Sequence, residues 1–123
     1  MSRYFSKDHE WIEVSDNVGT VGISDYAQGQ LGDITYVELP QPDQPFSKGD
    51  SVSIVDSVKA ASDVYTPVSG TIEAVNEALG DQPELVNSDA EGDGWLFRIA
   101  IADATELESL MDDTAYKAYI AEL

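Results

Sequence analysis

The segment Ser51–Gly70, SVSIVDSVKAASDVYTPVSG, sets a lysine, Lys59, between two apolar strand patterns. The connection Asp56-Ser57-Val58-Lys59-Ala60 lacks Gly, Asn and Pro, the residues that usually mark a hairpin turn. Turn propensity therefore does not explain its composition. A lysine at a hairpin tip holds its ammonium in water, within reach of a modifying enzyme. The small neighbours Ser57, Ala60 and Ala61 leave room for that enzyme to approach. Taken alone, such a lysine reads more plainly as a solvated turn that discourages edge pairing.

Other chemistries find little support. The chain has no cysteine, so it can form no disulfide, thiolate metal site or cysteine nucleophile, and any sulfur chemistry must come from a cofactor. His9 is the only histidine and no Gly-x-Ser-x-Gly elbow exists, which leaves a hydrolase triad without parts. One histidine also makes no zinc site, and no metal is expected. Asp89-Ala90-Glu91-Gly92-Asp93-Gly94 begins like a calcium loop, but position twelve is Ala100 where a bidentate Glu is required. Val18-Gly19-Thr20-Val21-Gly22 is followed by no Gly-Lys-Ser/Thr, so it is not a phosphate loop.

Charge narrows the partners. Asp and Glu total 24 against 6 Lys and Arg, a formal −18. Nucleic acid needs a basic face, and an anionic membrane surface would repel this chain. The acidity serves solubility, in a salty cytoplasm for instance, or steering onto basic patches of other proteins. No apolar run reaches the ~18 residues of a membrane span, and Met1–Lys7 has no signal-peptide core. The expectation is a cytoplasmic protein beginning at its own start codon.

The elements that must position Lys59 are short strands between turns. Candidate strands are Glu10–Val14, Val18–Ile23, Asp33–Leu39, Val52–Val55, Ala60–Tyr65, Thr71–Val75 and Trp95–Ile101. Asp16-Asn17, Pro40–Pro45, Lys48-Gly49-Asp50, Pro67–Gly70 and Glu91–Gly94 punctuate them. This pattern predicts a sandwich or small barrel. Ser24 is a candidate N-cap for a short helix through Gln28, and Pro83 is placed at the first position of a helical turn ending near Asn87. Leu107, Leu110, Met111, Tyr116, Tyr119 and Ile120 predict one or two amphipathic helices within Asp103–Leu123. A faint repeat at an offset of 38 carries Gly32, Ile34 and Val37 onto Gly70, Ile72 and Val75, and Asp43-Gln44-Pro45 onto Asp81-Gln82-Pro83. It suits two similar half-sheets. One domain is expected over residues 1–123, its core at about 18–101 and a helical segment at about 103–123.

Asp56-Ser57-Val58-Lys59-Ala60-Ala61-Ser62-Asp63 resembles the lipoylation motif of glycine cleavage H-proteins, in which a Glu usually stands where Asp56 does. His9-Glu10-Trp11, Val21–Gln28, Leu31-Gly32-Asp33, Val37–Pro40, Pro67–Gly70, Val75-Asn76, Val86–Ser88 and Gly94–Leu96 also resemble that family, in family order from about Tyr4 to Tyr119. The resemblance implies a mostly β, lipoyl/biotinyl-domain-like antiparallel β sandwich (a barrel-sandwich hybrid) with short helices and a helical C-terminus. It implies lipoate in amide linkage to Lys59, within the modification motif Asp56, Ser57, Val58 and Ala60. It further implies a carrier without catalytic residues of its own, a monomer visiting three enzymes in turn. These are glycine decarboxylase (P-protein), aminomethyltransferase (T-protein) and dihydrolipoamide dehydrogenase (L-protein), with a lipoate ligase or lipoyl/octanoyl transferase to install the arm.

By the same resemblance Glu10 and Asp63 belong to a cleft that shelters the loaded arm, and His9 lies near it. The proposed role of the two acids is charge-assisted hydrogen bonding to the aminomethyl nitrogen. The plainer reading of either acid is solvated strand-end charge. A lone histidine is more often structural, and Trp11 and Trp95 read as core anchors. Other readings stay open: a biotin carrier, a lipoyl domain of a 2-oxo-acid dehydrogenase, an H-like protein that relays lipoate to other enzymes, or an unmodified acidic binding module. Val58 and Ala60 stand where a biotin domain usually has Met.

Overall fold

The computed structural model describes residues 2–122. Met1 and Leu123, the ends of the expected domain, and for Leu123 of the expected helical tail, lie outside the described residues. Strands β1 (Ser2–Phe5), β2 (Glu10–Ser15) and β3 (Val18–Ile23) open the chain, followed by helix α1 (Asp25–Leu31). Then come β4 (Ile34–Glu38), β5 (Pro45–Phe46), β6 (Ser51–Ser57), β7 (Ala61–Tyr65) and β8 (Gly70–Val75). Two single turns of helix, α2 (Ala78–Asp81) and α3 (Leu85–Ser88), precede β9 (Phe97–Ile101). A 3-10 helix (Ala104–Ser109) and α4 (Asp113–Ala121) complete the tail.

The strands form two antiparallel sheets that do not close into a barrel. One has the order β1-β2-β3-β9-β8-β5 and the other β4-β6-β7. Alternate side chains of each point inward, as the strand period dictates. Ile12, Val21, Ile72, Phe97 and Ile99 of the larger sheet and Ile34, Val37, Val55 and Val64 of the smaller belong to one buried cluster. Each such side chain contributes roughly 1.5–3 kcal/mol when fully removed from water. A second cluster joins Phe5 and Trp11 to Tyr116 of α4, so the tail is packed onto the first two strands.

All seven expected strands are present, most with an end shifted by one or two residues. The main core also takes in Ile12 of β2, ahead of residue 18. β1 and β5 were not expected. β1 is an edge strand paired with β2 and bridged at Phe5 to Met111 of the tail, and β5 is a two-residue edge that begins within the expected turn Pro40–Pro45. Pro45 is tolerated because an edge strand does not need every N–H. Ser24 caps α1 as expected, its hydroxyl oxygen accepting from Ala27 N–H at 3.1 Å. α3 begins at Leu85 with Glu84 at its N-cap, two residues beyond Pro83. The carbonyl of Pro83 accepts from Val86 N–H at 3.1 Å and opens the turn that leads in. The repeat is half structural. Ile34 and Ile72 are buried in β4 and β8, whereas Asp43–Pro45 enters a strand and Asp81–Pro83 links two helical turns.

Candidate functional site

Lys59 is exposed at the tip of the β6–β7 hairpin. The β2–β3 hairpin turns through Asp16 and Asn17, both left-handed at φ 51 and 64, as a tight two-residue turn prefers. At the lysine tip neither Val58 nor Lys59 has positive φ. The geometry is set instead by Ser57. Its N–H donates to Ala60 C=O at 2.8 Å, and its hydroxyl oxygen accepts from Lys59 N–H at 3.2 Å and Ala60 N–H at 3.1 Å. A side-chain hydroxyl thus takes the place of turn residues.

The tip is also tied to the segment after α1. Val58 N–H donates to Asp33 C=O at 3.1 Å. The stem of Lys59 lies over Gly32, where a Cβ would meet its Cε at 3.5 Å, and Gly32 itself has φ +82. Asn87 of α3 braces this platform. It accepts from Ile34 N–H at 2.8 Å and donates to Gly32 C=O at 2.8 Å and to Gln28 Oε1 at 2.9 Å.

Beside the platform lies a cleft of about 270 Å³, with Leu31 of α1 on its wall. The three side chains expected near an arm, His9, Glu10 and Asp63, all line it, together with Tyr26, Gln30 and Ser62 among others. Asp63 is four residues from Lys59, at most about 13 Å along the chain. Asp63 is exposed at the rim and accepts from Ser51 Oγ at 3.2 Å.

Glu10 is not a solvated strand-end charge: it is 3% exposed. Its two oxygens accept from the Ser6 hydroxyl and, at 3.4 Å, from Tyr65 N–H. Burial pushes its carboxyl up to about 7; the Ser6 and Tyr65 hydrogen bonds oppose that, and the charge of Asp8 adds to it. The group therefore stands near its midpoint at neutral pH, and a cation entering the cleft favours its ionised form.

His9 has φ +69 and a ring set among tyrosines in tilted and edge-on contact, 4.9 Å from Tyr26, 5.8 Å from Tyr116 and 6.0 Å from Tyr119. Desolvation holds it below the ordinary histidine range, against an upward pull from Asp8, so the ring is neutral at pH 7. Trp11 is a buried anchor, donating to Ala90 C=O at 2.9 Å, whereas Trp95 is half-buried under Arg98. Among the described residues no group of three His, Asp or Glu side chains converges as a metal site would. Asp89, first of the calcium-like loop, instead accepts from Asp93 N–H at 2.9 Å.

Sequence reasoning gave no role at the site to Ser6, Gln30, Gly32, Asn87 or Tyr116. Their positions are long-range products of the fold. The spacing of Ser6 and Glu10, neighbours across a tight turn, is the one signal that could have pointed to a contact.

The glycine cleavage H-protein family model matches residues 3–123. The chain is 55% identical to the glycine cleavage system H protein of Paramagnetospirillum magneticum, over 99% of this chain and 98% of that protein. It is 51% identical to that of Thermotoga maritima, over 96% of this chain and 95% of the relative. The crystal structure of a glycine cleavage system H protein from Mycobacterium marinum superposes with a TM-score of 0.90 at 32% identity, covering 98% of this chain and 97% of the other.

Proposed function

The chain belongs to the glycine cleavage H-protein family, a carrier component and not an enzyme, and from that premise we propose that Lys59 bears lipoate and that the chain shuttles the aminomethyl group of glycine. The carrying observation is the placement of Lys59: an exposed lysine on a braced tip, beside a cleft lined by Glu10 and Asp63. Lipoate would supply what a chain without cysteine lacks, a dithiolane that accepts a group on one sulfur and is later reoxidised.

The chain's own residues supply presentation and shelter. Ser57, Gly32 and Asn87 fix the tip and the ground beneath the lysine stem. Amide formation removes the Lys59 charge, so the modified stem can lie along Gly32 without carrying an ammonium toward the cleft. A cavity of about 270 Å³ is somewhat below the 300–1,000 Å³ of drug-sized pockets, which suits a small charged head. Glu10, ionised opposite an ammonium, and Asp63 at the rim hold the aminomethyl nitrogen and keep water from it. The partners in this reading are glycine decarboxylase, the aminomethyltransferase that passes the one-carbon unit to tetrahydrofolate, and dihydrolipoamide dehydrogenase, met as a monomer in the cytoplasm. No helix of the described residues is long and apolar enough to cross a membrane.

The test is a single-turnover reaction of lipoylated protein with glycine decarboxylase and carboxyl-labelled glycine. The expected result is labelled carbon dioxide released in proportion to carrier, with none above background for Lys59→Arg. Equal release with the unmodified chain contradicts the reading.

A further inference from the structure

Tyr116 lies behind the cleft, on α4, yet touches two groups that build it. Its phenolic oxygen is 2.8 Å from His9 Nδ1 and 2.6 Å from Ser24 Oγ. His9 lines the cleft, and Ser24 caps α1, whose Tyr26, Ala27, Gln30 and Leu31 line it too. The backbone of His9 is held in its left-handed conformation by its N–H to Ser6 C=O at 3.1 Å and its C=O from Ser24 N–H at 2.8 Å. The tyrosine rings around it fix the plane of the imidazole. Ring contact does not distinguish the two flips of that ring, nor its two tautomers; a polar partner does.

The direction of the hydrogen bonds follows from acidity. A phenol is a stronger donor than an alcohol, and an imidazole nitrogen is a stronger acceptor than an alcohol oxygen. Ser24 Oγ already accepts from Ala27 N–H, which leaves its own O–H to donate to Tyr116. Tyr116 in turn donates to His9 Nδ1, and the neutral ring then carries its hydrogen on Nε2, which has no protein partner among the described residues.

Resting on the reading of the cleft as the arm's docking place, we propose that Tyr116 is a positioning residue: its hydroxyl holds His9 in the Nε2–H tautomer at the cleft while bracing the N-terminus of α1. A neutral imidazole places no like charge beside an ammonium head. Its N–H adds a donor to a cleft whose charged lining groups, Asp8, Glu10 and Asp63, are acids. The C-terminal helix is thereby part of the shelter, although 107 residues separate Tyr116 from His9.

His9 is the only histidine, so its ring nitrogens can be read directly by nitrogen NMR on the uniformly labelled full chain. The parent is expected to show Nε2 protonated and Nδ1 bare. Tyr116→Phe keeps the ring stacked on Phe5 at 4.3 Å, so the fold has its packing, and is expected to show averaged tautomers. Lipoylated Tyr116→Phe, loaded from glycine by the decarboxylase, should lose its one-carbon unit about threefold faster or more, the factor an ordinary hydrogen bond is worth. Lipoate attachment, read by mass, should be unchanged. A parent protonated on Nδ1, a variant with the parent's tautomer, or a changed tautomer with unchanged loss would each overturn the proposal. Failure of Lys59 to take lipoate would instead strike the carrier reading, and the tautomer measurement on the unmodified chain would still decide the role of Tyr116.

Discussion

A carboxyl group buried as Glu10 is weakens the folded chain once it ionises. Its folded value, about 7, lies above the ordinary 4.5, so between these pH values the folded state binds more protons than the unfolded. Stability therefore falls as pH rises through that window, by up to about 3 kcal/mol from this one group. Glu10→Gln keeps the shape and removes the titration. Urea unfolding should show the variant gaining on the parent between pH 4.5 and 7.5; a constant difference would contradict the burial argument. The same variant should shed the one-carbon unit faster when loaded, since it offers no charge to the ammonium, and Asp63→Asn should do so less because Asp63 is exposed. The residue chemistry was only partly legible. Lys59 stood out because its turn lacks turn residues. The burial of Glu10 did not, because it arises at the start of β2 beneath residues distant in sequence.

At the scale of elements, Asn87 joins α3 to the end of α1 and the start of β4 through three hydrogen bonds. Asn87→Ala leaves three part-buried partners without their amide and should cost about 1 kcal/mol in denaturant unfolding. It should also slow lipoylation of Lys59, whose stem rests on the braced Gly32. Unaltered stability would mean that water replaces the amide at no cost. The central strands were readable because β-branched runs bounded by turns have few other uses, as in Val18–Ile23, which matches residue for residue. β1 was not readable: Ser2-Arg3-Tyr4-Phe5 has little apolar pattern, and it is a strand because β2 offers it an edge. α2 contains Gly80, a poor helix former, and is held by burial of Leu79.

For the molecule as a whole, the −18 charge and the packing of the tail matter most. Like charges repel in the compact state, and salt screens them. The melting temperature should rise between about 0.02 M and about 0.5 M salt, while association with the decarboxylase should weaken over the same range if basic patches draw the carrier in. A melting temperature independent of salt would show that the acids are spaced widely enough not to interact. That two sheets would face each other was legible from many short strands. That α4 would close over the first two strands was not, because its amphipathic spacing names no partner; Tyr116 finds Phe5 and His9 only in three dimensions.

The central claim is that Lys59 is the point of attachment, and the direct measurement is the intact mass after co-expression with a lipoate ligase and lipoate, followed by peptide mapping. The account predicts one lipoyl addition, on the peptide containing Lys59, absent in Lys59→Arg. No addition under conditions that modify a control lipoyl domain, or addition elsewhere on the chain, would contradict it and leave an acidic binding module with a carrier's fold.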